Sequence, residues 1–303
     1  VIDTAESLRR KIGSAGELQS VVRTMKALAA SSIGQYEKSV LALADYDRTV
    51  ELGLGACLRA MHLSAPLMKL GLPTRHAAIS AIVFGSDQGL VGQFNDVVAD
   101  HAIKALADLP GKPQVWAVGE RVRARLADAG IELLGLFTVP NSIEAISSLV
   151  GRIQIESETH RAATGSDSLW VFHNRPQAGA LYAPASQRLL PLDRQWGQRL
   201  ADIPWPTANL AEIMGDPGAS LHALVREYLF ISLFRACAES LASENASRLA
   251  AMQRADKNIS DLLEQLHATS NQLRQSGIDE ELFDVISGFE ALGGARQAPG
   301  ERP

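Results

Sequence analysis

Chemistry in a chain of 303 residues needs a nucleophile, an acid–base group, a metal-ligand set or a phosphate cradle, and one stretch gathers several candidates. Gly85-Ser86-Asp87-Gln88-Gly89-Leu90-Val91-Gly92-Gln93-Phe94-Asn95 is rich in glycine and follows a strand-like run. A turn of that kind between strand and helix often binds phosphate, because backbone N–H groups converge on a helix N-terminus there. The spacing fits neither the dinucleotide fingerprint nor a phosphate loop. The latter needs Lys-Ser/Thr after its final glycine, where this chain has Gln93-Phe94. Ser86, Asp87 and His101 could form a nucleophile–base set, yet no Gly-x-Ser-x-Gly elbow presents the serine and nothing orients the histidine. The stretch therefore reads as a structural Asx-type turn with a surface histidine nearby. The other histidines (62, 76, 160, 173, 222 and 267) are scattered, without metal-ligand spacing. Cys57 and Cys237 are far apart and read as reduced, buried hydrophobes. No cofactor, metal or catalytic residue is expected.

The elements that would position these residues follow from proline. Eleven prolines lie from Pro66 to Pro217, and no other appears before Pro299. Proline breaks helices, so the two flanks, residues 1–65 and 218–292, can each be a long helix around an α/β segment, 66–217, with a flexible tail at 293–303. The first flank places Leu8, Ala15, Val22, Ala29 and Tyr36 seven apart, with Leu18 and Met25 between them. Those are the alternating three- and four-residue steps of a coiled-coil seam. Gly13, Gly16 and Gly34 mark places where a neighbouring backbone comes close. The last flank has Met252, Ile259, Leu266 and Leu273 in one heptad row, and Ala255, Leu262, Thr269 and Ser276 in the other. A helix from about Leu221 to Leu292 would run roughly 105 Å, too long for a compact domain of this size, so it must pair with the first flank.

In the middle, Ala77–Phe84 is a continuous apolar run, as in a strand buried on both faces. Gln114–Val118, Glu132–Phe137 and Ser168–His173 add strands, and Leu189–Leu192 a short edge strand. Asp96–Asp108, Glu120–Ala129 and Ser142–Arg161 read as helices between them. This alternation predicts a mostly parallel, Rossmann-like sheet. Asp202–Gly218 reads as irregular. Net charge is −5, which speaks against nucleic acid, and the most apolar stretch, Ala223–Ala238, contains Arg226, Glu227 and Arg235, so no membrane span is expected. The first residues carry charges where a secretory leader would have an apolar core. Residues 1–40 hold six positive and four negative charges, including Arg9, Arg10, Lys11, Arg23 and Lys26. They read either as a solvated face or as a surface for a partner's acidic loops.

Several motifs resemble one family. Ser243-Glu244-Asn245-Ala246-Ser247-Arg248-Leu249-Ala250-Ala251-Met252-Gln253-Arg254-Ala255-Asp256-Lys257-Asn258 is similar to the C-terminal signature of F-type ATP synthase gamma subunits. Asn271–Ile278 and Glu281–Gly288 resemble the closing segments of that family, Leu8–Ile12 and Thr24–Ala30 its first helix, and Ser86–Gly92 its glycine loop. The resemblance implies an antiparallel coiled coil of the two terminal helices inside a hexamer of alpha and beta subunits. It also implies a middle domain near the membrane ring of c subunits and beside the epsilon subunit, with no nucleotide of its own. The implied role is the rotor shaft of a proton- or sodium-translocating synthase, peripheral to the cytoplasmic side of a bacterial inner membrane. Residue by residue, it puts Arg9, Arg10, Lys11, Met25, Lys26, Arg274 and Gln275 against the catalytic head, and Trp205 and Asn209 at the foot. This chain departs from the family's tyrosine-rich foot sequence, has Asp279-Glu280 where the family has Thr-Gln, and lacks an inserted cysteine pair. Such divergence points to an alternate ion-translocating lineage. A nucleotide-dependent α/β enzyme and a non-rotary coiled-coil scaffold are the alternative readings.

Overall fold

The computed structural model describes residues 4–61, 79–166 and 168–294. They form two compact units, Val1–Lys26 with Met252–Pro303, and Ala27–Ala251. The elements are α1 (Ala5–Ala42), α2 (Ala44–Ala60), β1 (Ile79–Phe84), α3 (Phe94–Ala107), β2 (Pro113–Val118), α4 (Glu120–Asp128), β3 (Glu132–Phe137), α5 (Ile143–Thr164), β4 (Ser168–Gln177), β5 (Ala180–Leu190), α6 (Arg194–Ala201) and α7 (Pro217–Gly294). The long terminal helices, α1 and α7, pack together as expected, but a turn at Leu43 divides the first flank into α1 and α2. Residues 77 and 78 of the expected first strand and 295–303 of the expected tail lie outside the described residues; Gly293 and Gly294 close α7.

In the larger unit the sheet order is β3-β2-β1-β4-β5. The first four strands are parallel, because a helix returns the chain between each pair, and β4–β5 is antiparallel. Every residue of β1 is buried, and its two faces feed two cores. Ala81 and Val83 pack with Val98, Ala102, Val122 and Leu126 of α3 and α4. Ile82 and Phe84 belong to the other core, with Ile146 and Ile153 of α5, Leu54 and Leu58 of α2, and Leu233 and Cys237 of α7. Alternate residues thus serve opposite helix layers.

Two elements differ from the sequence reading. The edge strand spans eleven residues, Ala180–Leu190, where only Leu189–Leu192 was expected. Pro184 and the alanines disguise it; at a sheet edge, proline's missing donor need cost no ladder bond. Gly179, at φ +81°, makes the turn from β4. The segment before Asp202 contains α6, begun by Asp193, whose Oδ1 accepts the Trp196 N–H at 2.8 Å. α7 starts at Pro217, earlier than Leu221, with Asp216 Oδ2 accepting the Ala219 N–H at 2.7 Å.

In the smaller unit, Leu8, Ala15 and Val22 of α1 are buried, as is the Met252 and Ile259 row of α7. The second rows follow the expectation only in part. Met25 and Ala255 are half-buried as expected, but Leu18 is 54% exposed and Leu262 46%, and Asp256, Leu263 and Ser270 are half-buried where the expected row had Ala255, Leu262 and Thr269. The steps +4, +3, +4 from Met252 describe the seam, one residue off the predicted second row. Gln19 reaches Ser260 while Lys26 reaches Asp256, so the helices run antiparallel. Gly13, Gly16 and Gly34 make no close approach: nothing described lies within 4 Å of a Cβ at any of them. Their faces of α1 are largely open. The tight contact falls instead at Gly55, where a Cβ would sit 2.4 Å from the Leu200 oxygen.

Candidate functional site

The glycine loop is knitted shut by its own side chains. Ser86 N–H donates to Asn95 Oδ1 at 2.9 Å, Asn95 Nδ2 returns a bond to Ser86 Oγ at 2.8 Å, and Ser86 Oγ donates to the Gln88 oxygen at 2.9 Å. Asp87 reaches across the carboxyl ends of the strands. One carboxylate oxygen accepts the Glu120 N–H at 3.0 Å and the other the Val139 N–H at 2.9 Å. Glu120 opens α4, so an internal carboxylate occupies the helix N-terminus where a phosphate would otherwise be attracted. Gly85 is required by packing, because a Cβ there would meet Val122 Cβ at 2.4 Å. His101 is half-buried, not on the surface, and its ring stands edge-on to Phe172 at 6.0 Å. Ser86 and His101 make no nucleophile–base pair. The structural-turn reading therefore gains a mechanism: the loop joins three strand ends to one another.

α7 lies along this loop through the stretch that carries the signature. Ser247 Oγ donates to the Val91 oxygen and Ser243 Oγ to the Asn174 oxygen, while Asn174 Nδ2 donates to the Phe94 oxygen at 2.8 Å. His173 Nε2 stands 2.8 Å from Glu239 Oε2. Glu244 and Arg248 form a buried ion pair one helical turn apart. Burial pushes the Glu244 carboxyl above the usual carboxylate range, and the Arg248 guanidinium pulls it partly back. Beside the pair is a cleft of about 220 Å³ lined by Ser32, Tyr36, Asp87, Asn141, Leu241 and Asn245. Two motifs more than 150 residues apart in sequence, Ser86–Gly92 and Ser243–Arg248, are thus one junction of serine hydroxyls and backbone carbonyls. Serines at i and i+4 beside an i, i+4 Glu–Arg pair are the signal that could have revealed this polar strip.

The other predicted residues are spread out. Arg9, Arg10 and Lys11 are exposed on α1, with Arg10 3.7 Å from Glu6. Met25 and Lys26 are half-buried, and Lys26 Nζ lies 2.8 Å from Asp256 Oδ2. Arg274 and Gln275 belong to a stretch of α7 whose described side chains from 271 to 288 are all exposed. Trp205 and Asn209 lie on the irregular loop between α6 and α7 with Leu210 and Met214, which are 97% and 92% exposed. Arg59, which periodicity could not single out, anchors the start of that loop: its Nη1 donates to the Ala201 oxygen at 2.8 Å and the Ile203 oxygen at 3.2 Å. Among the described residues no helix is long and apolar enough to cross a membrane, and no group of side chains could hold a metal ion.

Fold and site define a protein of paired terminal helices and an α/β domain whose crevice is closed by its own carboxylate. The family described as ATP synthase matches residues 4–292. The gamma chain of Desulforudis audaxviator (strain MP104C) is 27% identical over 300 residues, covering 94% of this chain and 97% of that one. The gamma chain of Anaeromyxobacter sp. (strain Fw109-5) is 26% identical over 295 residues, covering 94% and 98%. Among solved structures, a chain of the Euglena gracilis mitochondrial ATP synthase (OSCP/F1/c-ring, rotational state 3) superposes over 99% of this chain and 98% of its own length, with TM-score 0.62 at 15% identity. A chain of the Tetrahymena thermophila central stalk/c-ring covers 78% and 99%, with TM-score 0.54 at 18% identity. The chain belongs to the ATP synthase gamma chain family, as a distant member that spans nearly the whole length of these relatives. It is a central-stalk rotor subunit, and catalysis is not its role.

Proposed function

We propose that residues 1–65 and 218–292 form a shaft turning inside a catalytic head of alpha and beta subunits. In this reading, residues 66–217 form a foot domain meeting the epsilon subunit and a membrane ring of c subunits. The observation that carries the reading is the bare end of α7, where Ile278, Leu282, Phe283, Val285 and Ile286 are 44–68% exposed on a continuous helix. Apolar side chains in such number ask for a partner. Arg274 and Gln275 lie in that stretch, and Arg9, Arg10, Lys11, Met25 and Lys26 supply the α1 side of the contact with the head. An asymmetric shaft shifts site affinities only by touching the catalytic interfaces unequally. Trp205, Asn209, Leu210 and Met214 dock on the ring, at the cytoplasmic face of a bacterial inner membrane, and a proton or sodium gradient drives the rotation.

Reconstitution with alpha and beta subunits tests the shaft: one copy per hexamer and a gain in ATPase activity are expected, and symmetric binding without activation would refute it. Leu210→Asp with Met214→Asp tests the foot. ATP-driven ion pumping in the membrane complex should fall while the ATPase of the detached head persists. Undiminished pumping would remove the loop from the ring contact.

A further inference from the structure

Arg23 and Lys26, the cations that charge alone would send toward a partner, are both held by this chain's own Asp256. Its carboxylate accepts from Lys26 Nζ at 2.8 Å, Arg23 Nε at 3.2 Å and Gln19 Nε2 at 3.3 Å. Gln19 Nε2 also reaches Ser260 Oγ at 2.8 Å. The Asp256 side chain is only 17% exposed, and it interrupts the seam between Met252 and Ile259, both buried. We propose that Asp256 is the positioning residue that fixes the axial register of α7 against α1.

The apolar rows cannot do this alone. Leu8, Ala15 and Val22 repeat every seven residues, as do Met252, Ile259 and Leu266, so a slip of one heptad again faces apolar residues with apolar residues. The polar layer is not degenerate in this way. The same slip, toward the start of α1, sets Asp256 against Ile12, Gly16 and Gln19 and leaves the carboxylate without a cation; the opposite slip sets it against Lys26, Ala30 and Ile33 and keeps one cation of two. A half-buried charge without a partner is costly, and a polar residue at a seam position trades stability for a single register. The groups facing the Asp256 carboxylate are Gln19, Arg23 and Lys26 on α1, while Ser260 on its own helix donates to the Asp256 backbone oxygen. The hydrogen bond from Lys26, then that from Arg23, holds its carboxyl below the usual carboxylate range, so the charge is present at neutral pH.

The test uses the full chain with Cys57→Ala and Cys237→Ala and spin labels at two exposed positions, 17 and 264. The parent should give one narrow interlabel distance. Asp256→Leu, with its helical circular dichroism intact, should widen the distribution about twofold or add a second population displaced by up to about 10 Å, the rise of seven residues. Asp256→Asn, which keeps an acceptor but no charge, should fall between the two. A residue that merely contributed packing would lower the melting temperature and leave the distance unchanged. A narrow, unshifted peak in Asp256→Leu overturns the proposal. Should that variant lose its helical signal, an unshifted peak in Asp256→Asn overturns it.

Discussion

One helix, α7, meets two kinds of surroundings, and its sequence changes where they change. From Leu229 to Ala242 it is buried on several sides: Leu229, Ile231, Leu233, Phe234, Ala236 and Cys237 point in directions that no single stripe could contain. A helix apolar all round belongs inside a domain. From Met252 onward, burial contracts to a stripe, Met252 and Ile259 with half-buried Leu263 and Leu266, and past Ser270 no described side chain is buried. Between the two regimes lies the polar strip Glu239–Arg248. Helix propensity is common to all three, so packing and not propensity decides what each part contributes to stability. A substitution in the first regime should therefore cost several times what a chemically similar one costs in the last.

The largest effect is expected at the polar strip. Arg248→Met leaves Glu244 buried without its cation and should lower stability at pH 8 by about 3 kcal/mol, seen as an earlier urea midpoint. Because the folded Glu244 carboxyl lies above its unfolded value, the folded chain binds a proton that the unfolded chain lacks in the window between them. Stability falls as pH rises through that window, and more steeply in the variant, where the moderating Arg248 is gone. Glu244→Gln in the Arg248→Met background should restore most of the loss. A flat pH response in Arg248→Met would mean that the pair is not buried as described.

Next comes the apolar part. Leu233, 1% exposed, truncated to alanine should cost about 2 kcal/mol. At the far end, Phe283→Ser, at a position 68% exposed, should change the stability of the isolated chain by no more than ~0.5 kcal/mol. Equal midpoint shifts for the two would erase the contrast between the regimes.

Much of this architecture was legible. Heptad spacing found the row from Leu8 to Tyr36, and the continuous apolar run found β1, because both depend on local periodicity. What periodicity missed was decided by tertiary context. The seam takes in Asp256 beside Ala255 because Gln19, Arg23 and Lys26 wait opposite, and no window on one helix contains them. β5 was hidden because an edge strand tolerates Pro184 and alanines that a central strand would not. The loop around Asp87 read as a structural turn; that its carboxylate caps Glu120 and Val139 required three strand ends to be brought together. Tight packing was sought at Gly13, Gly16 and Gly34, while the chain places it at Gly55, since glycine in sequence says only that close approach is permitted.

The smallest effect tests the stripe through its one ionised group. The Asp256 carboxyl is held below its unfolded value, chiefly by Lys26 and then by Arg23. Its contribution to stability is therefore complete above the unfolded carboxylate range and disappears as pH falls through the lowered folded value. Asp256→Asn should melt slightly earlier than the parent at pH 7, and the gap should close as the solution is acidified past the point where the parent carboxylate takes up its proton. Raising the salt concentration should narrow the gap at neutral pH, because Arg23 in particular is well exposed. Thermal melts followed by circular dichroism across pH and salt measure both trends. A gap that is unchanged by acid or salt would show that Asp256 acts by shape and not by charge, and the stripe would then be held by its apolar row alone.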